Sequence, residues 1–277
     1  MNTSIQRSFV VVTFVAGPLS ATGRQTGAQW LNYPTPGVPR TPDGRVDLTA
    51  APPRQQDGHI DFYGVWLPDP VKTDATLRAQ TATLGEATTI RLKTSDGMPI
   101  PFLPTAQAAF NERRARNEQA PSNRCLPHTV VDAFLVPEPF KFVHSRGLTV
   151  LLFEEGNQFR QVFTDGRPFP TEMQPAWFGY SIGHWEADTF VVDTRGFNDR
   201  GRLDVVTPLG QSETLHTTER FRRPSVGTLQ VQITIDDPVR FSHAWTAQTI
   251  WFRLLPDTEF IEYICENEKD AAHLARK

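Results

Sequence analysis

The segment Gly179–Thr194 most constrains what this chain can fold into. It holds two alternating runs, Tyr180–Glu186 and Thr189–Thr194, around a short polar break at Glu186-Ala187-Asp188. Alternation of period two around a tight polar break is the pattern of a β-hairpin. The same pattern recurs from Phe140 to Asn267. Phe140–Ser145 and Leu148–Glu154 flank Arg146-Gly147, and Gln158–Thr164 follows Glu155-Gly-Asn157. Thr214–Arg223 and Thr228–Asp236 flank Pro224–Gly227; Phe241–Leu255 and Glu259–Glu266 flank Pro256-Asp257-Thr258. Near neighbours joined this way predict an all-β fold. The expected form is an antiparallel meander of roughly nine strands closing into a calycin-like barrel or a strongly curved sheet. A two-layer sandwich is the alternative.

Strand faces follow from the alternation. Leu229, Val231, Ile233 and Ile235 share one face, with Gln230, Gln232 and Thr234 on the other. Leu215, Thr217, Glu219 and Phe221 oppose His216, Thr218, Arg220 and Arg222. Phe241–Leu255 is apolar on both faces, which requires cover outside the wall. The obvious cover lies N-terminal to the strands.

The remaining chain is irregular: 23 prolines and 18 glycines in 277 residues favour turns over long helices. Arg7, the apolar run Phe9–Ala16 and the small residues Ala21-Thr-Gly23 match a secretory signal peptide over residues 1–23, which predicts a periplasmic or secreted mature chain. No run approaches the roughly 20 apolar residues that cross a bilayer. Residues 24–139 read as an N-terminal arm with one helix near 105–117, capped by Thr105. Residues 140–267 form the β body and 268–277 a tail. Within the arm a 14-residue repeat places Pro39-Arg40, Asp43-Gly44 and Asp47 in step with Pro53-Arg54, Asp57-Gly58 and Asp61. Each Asp-Gly marks a tight turn, and the spacing lacks the ligand alternation of an EF-hand. Cys125 and Cys265, an even count in a chain read as exported, predict a disulfide. Closing so long a loop would stabilise the fold by about 4–5 kcal/mol on the chain-entropy account.

The stretches Thr41-Pro-Asp-Gly44 through Gly64-Val-Trp66, Phe163-Thr-Asp-Gly-Arg167, Gly179 through Thr189, and Glu262-Tyr-Ile-Cys-Glu266 together resemble an uncharacterised family of secreted bacterial proteins. The family carries a TPDG…DLSGxW arm and a GYSxGxWEGDTLVV core. The resemblance spans most of the mature chain and implies no activity or catalytic residue. Ala187 stands where the pattern has Gly, and His184 where it usually has Arg. If position 187 needs positive φ, alanine costs about 1 kcal/mol there.

The net charge of −3 offers no basic footprint for nucleic acid. Nucleotide-loop, GxSxG and HExxH motifs are missing from the sequence, as is zinc-type Cys/His spacing, so neither a cofactor nor a metal is expected. Two constellations remain. Tyr180, Trp185, Trp245 and Trp251, with Phe140 and Phe142, can line an apolar cavity at the mouth or interior of a barrel. Glu219, Glu262 and Arg160, with His216 as a further weak catalytic candidate, can supply acid–base chemistry; His216 and Glu219 lie on opposite faces of one strand and cannot form a dyad. The expected function is binding of a small apolar or aromatic ligand. The alternatives are an extracytoplasmic lyase, isomerase or hydrolase using interior Glu and Arg, and a structural or assembly protein whose arm adds to a partner.

Overall fold

The computed structural model describes residues 30–31 and 33–265. The expected signal peptide and the tail lie outside these residues. In chain order the strands are β1 (Trp30–Leu31), β2 (Val65–Pro68), β3 (Phe140–Ser145), β4 (Leu148–Phe153), β5 (Gln158–Phe163) and β6 (Tyr180–Glu186). They continue with β7 (Thr189–Arg195), β8 (His216–Ser225), β9 (Thr228–Asp236), β10 (Trp245–Thr246), β11 (Ile250–Leu255) and β12 (Thr258–Glu259). Helices α1 (Pro70–Thr73), α2 (Arg78–Leu84) and α3 (Pro104–Ala115) lie between β2 and β3.

Nine strands close on themselves in the order β9-β11-β2-β3-β4-β5-β6-β7-β8, with β8 returning to β9. The fold is an all-β barrel, as the alternation predicts. Two features depart from a simple meander. First, β5 and β6 are parallel and meet at only two register pairs, Val162–Ser181 and Phe163–Ile182. The connection from Thr164 to Gly179 is too long for a hairpin and carries the chain back to the other end of the wall. Second, β2 comes from the arm, so the body expected at 140–267 takes one of its staves from outside that range. The expected strand 241–255 is also broken. Trp245 and Ala247 are buried, but after residues 247–249 the phase flips and Ile250, Phe252 and Leu254 face inward.

Sequence alternation accounts for the wall elsewhere. Leu229, Val231, Ile233 and Ile235 are fully buried while Gln230 and Gln232 face outward. On β8, Thr217, Glu219 and Phe221 face inward. The interior is filled with rings. Phe134 lies 5.2–5.8 Å from the rings of Phe140, Phe153, Phe221 and Phe252. Phe62, delivered by the arm, reaches Phe142, Trp185, Phe190 and Phe221. Gly183 is required by this packing, because a Cβ there would sit 2.8 Å from both Phe190 and Val162.

The arm lies along its own barrel, and its repeat is structural. Both copies close a small antiparallel loop, Arg40–Val46 and Arg54–Ile60. In each, the arginine donates to the glycine carbonyl four residues on and then forks onto an aspartate in a turn between two strands. Arg40 grips Asp257, and Arg54 grips Asp188 in the β6–β7 turn at 2.8 and 2.9 Å. Cys125 and Cys265 are joined, with Cα atoms 5.5 Å apart, so the disulfide is present. α3 starts at Pro104, whose fixed φ suits the first turn; Thr105 is not its cap, and Leu103 precedes it without a side-chain cap.

Candidate functional site

The short joint between β5 and β6 leaves a cleft bordered by aromatic rings. Past the two paired residues the strands part, and a cleft of about 500 Å³ opens between β5 and residues 176–181. Phe159 and Phe163 point outward from β5 by alternation, and Phe159 is 60% exposed. Trp177 and Tyr180 border the cleft from the other side, and Phe178 between them turns its ring onto the core residue Phe153 at 5.3 Å. The Phe163 and Tyr180 rings stack at 5.0 Å, and the Arg167 guanidinium lies 4.1 Å above Phe163. Arg200 covers the Trp177 ring at 4.9 Å. Gly179 bends the chain into β6 at φ +61°, where a Cβ would meet the Arg195 carbonyl at 2.6 Å. Arg160 and Ser181 also border the cleft.

Behind it lies a closed polar network. Arg160 donates to both Glu219 oxygens, at 2.6 and 2.9 Å, to Ser181 Oγ at 3.0 Å and to Thr194 Oγ1 at 2.7 Å. Thr217 Oγ1 donates to Glu219 Oε1 at 3.2 Å. Every member is buried. Burial pushes the Glu219 carboxyl above the usual carboxylate range, and Arg160 pulls it back. The pair stays ionised, because neutralising Glu219 would strand the Arg160 charge in the interior.

Of the residues singled out in the sequence, Arg160 and Glu219 come together and Tyr180 lines the cleft. The others disperse. Glu262 is exposed outside the barrel and is not an interior acid. His216 faces outward, as alternation requires, with Nε2 3.1 Å from Asp193 Oδ1. Trp185 closes a barrel mouth beneath His59, their rings stacked at 4.6 Å. Trp245 is buried against Phe241, and Trp251 lies on the outer wall beneath Lys72. The four aromatics therefore do not line one cavity, because alternation and the phase flip after residue 247 send them to different faces. Among the described residues no cluster of His, Cys, Asp and Glu could hold a metal ion. No helix among the described residues is long and apolar enough to cross a membrane.

Sequence reasoning missed Phe159, Trp177 and Phe178. The available signal was the length of the 164–179 connection, which excludes a hairpin and forces a seam in the wall. It also missed His128. This buried ring lies between Asp132 Oδ2, 3.0 Å from Nδ1, and Glu155 Oε2, 3.0 Å from Nε2. The Nε2 approach is a charge contact rather than an aligned hydrogen bond. Burial opposes the charge on His128, but the two carboxylates outweigh it and push the pKa up to about 10. The group fastens residues 128–132 to the β4–β5 turn.

No protein-family model, curated protein or solved structure matches this chain.

Proposed function

We propose that this protein is an extracytoplasmic β-barrel that binds a small, uncharged aromatic or apolar molecule in the cleft between β5 and β6, and that it belongs to the secreted family it resembles. The carrying observation is the split wall itself, which leaves Phe159, Phe163, Trp177 and Tyr180 bordering one open space. Apolar walls with few polar groups are the usual chemistry of small-molecule sites. The Arg160 charge is matched by Glu219, so the cleft floor offers no unpaired cation to an acid. The Cys125–Cys265 bond supports a location outside the cytoplasm.

Binding is favoured over acid–base catalysis by the state of Glu219. Glu219 is fully buried, with both oxygens held by Arg160 and one also by Thr217, so it is not exposed to a ligand in the cleft. An assembly role for the arm loses its ground because the arm is clipped to its own barrel.

The test is a fluorescence titration of the full chain with the apolar probe N-phenyl-1-naphthylamine. Saturable binding is expected, weakened about tenfold or more by Phe159→Ala with Trp177→Ala and unchanged by Trp251→Phe. Native mass spectrometry of the protein as purified should also reveal co-purifying small molecules. Absence of saturable binding, or indifference to the double substitution, would overturn the proposal.

A further inference from the structure

The outer face of β8 and β9 carries a second, separate cup. Arg220 and Arg222 lie directly opposite Gln232 and Gln230 in the register, so their side chains share one face. Thr249, just before β11, closes a further side, and the five residues enclose about 120 Å³. The two arginines are not equivalent. Arg220 donates to Glu186 and is neutralised there. Arg222 donates through Nε to Thr189 Oγ1 at 2.9 Å. Among the described residues its terminal nitrogens have no carboxylate or other acceptor. The carboxamides of Gln230 and Gln232 and the hydroxyl of Thr249 likewise make no side-chain hydrogen bond among those residues.

This combination has a definite chemical complement. A guanidinium offers two parallel N–H groups that match a carboxylate. A carboxamide both donates and accepts, so it can meet both sides of a hydroxyl, whereas a bare, acceptor-only oxyanion can use its N–H groups but not its carbonyl oxygen. A guanidinium on an open strand is hydrated from all sides. Arg222 is instead flanked by neutral polar groups that a ligand can engage together. We propose that this cup binds a small hydroxylated carboxylic acid of the sugar-acid class. Arg222 takes the carboxylate, and Gln230, Gln232 and Thr249 take the hydroxyls. The site is independent of the aromatic cleft.

The experiment is an NMR titration of the full chain with glucuronate, glucose and inorganic sulfate, reading the Arg222 Nε–H and the glutamine side-chain amides. Glucuronate should saturate and shift these signals, with glucose and sulfate at least about tenfold weaker. Arg222→Gln, an exposed substitution, should weaken glucuronate about tenfold or more. Gln230→Leu should weaken glucuronate by a larger factor than sulfate. No shift at the highest soluble concentration, equal affinity for sulfate and glucuronate, or indifference to Arg222→Gln would each overturn the proposal.

Discussion

Arg160 on β5 and Glu219 on β8 meet inside the barrel through two parallel contacts of 2.6 and 2.9 Å, sealed from water. Removing one partner leaves the other as an unpaired buried charge. Arg160→Met or Glu219→Leu alone should each cost on the order of 3–5 kcal/mol. The double substitution should recover most of that loss, since Ser181 and Thr194 can still hydrogen bond to each other. Urea unfolding of the four proteins in a double-mutant cycle checks this. Additive losses would show that the two charges are not coupled.

His128 gives the fold a pH dependence on the alkaline side. Its pKa rises from 6.5 to about 10 on folding, so the folded state holds the proton more tightly. The resulting stability is complete below about 6.5 and is lost as pH rises through about 10. His128→Gln should remove that slope, with a difference of about 2–4 kcal/mol between the ends of the window. Urea midpoints measured from neutral pH upward provide the comparison.

Glu154 acts in a lower window. It is buried, with one backbone partner, the Ile261 N–H at 3.3 Å, and burial raises its pKa from 4.5 to about 7. The folded state again binds the proton more tightly, so stability declines as pH rises from about 4.5 to about 7. Glu154→Gln should match the wild type in acid and exceed it above neutrality by about 1–3 kcal/mol. Thermal melts at both extremes would expose equal behaviour, which would contradict the assignment.

Ala187 sits at φ +50° in the β6–β7 turn, in the left-handed region where a Cβ is strained. Ala187→Gly should therefore stabilise the protein by about 0.5–1 kcal/mol, net of the greater freedom glycine has when unfolded. The Arg54–Asp188 clip beside it should persist in the variant. The measurement is the urea midpoint.

Local structure was legible where one face of a strand is buried. β9 spans Thr228–Asp236 as expected, and β3, β4, β5 and the β6–β7 hairpin match within a residue. Their alternation leaves little freedom of register. Relations between distant segments were not legible. Nothing local in Val65–Pro68 specifies pairing with both β3 and β11. The repeat announced two turns but not the two aspartates, Asp188 and Asp257, that its arginines reach far along the chain. The site was half visible. Arg160, Glu219 and Tyr180 were identified, yet the cleft depends on the direction of β6, which alternation does not encode.

The ring of staves sets an order on maturation. Ile250–Leu255 stands between Val65–Pro68 and Thr228–Asp236, so a stave made early must wait for one made near the end. Until then both flanking edges remain open to wrong partners. A nascent polypeptide of this kind cannot shut its wall before Ile250–Leu255 has emerged.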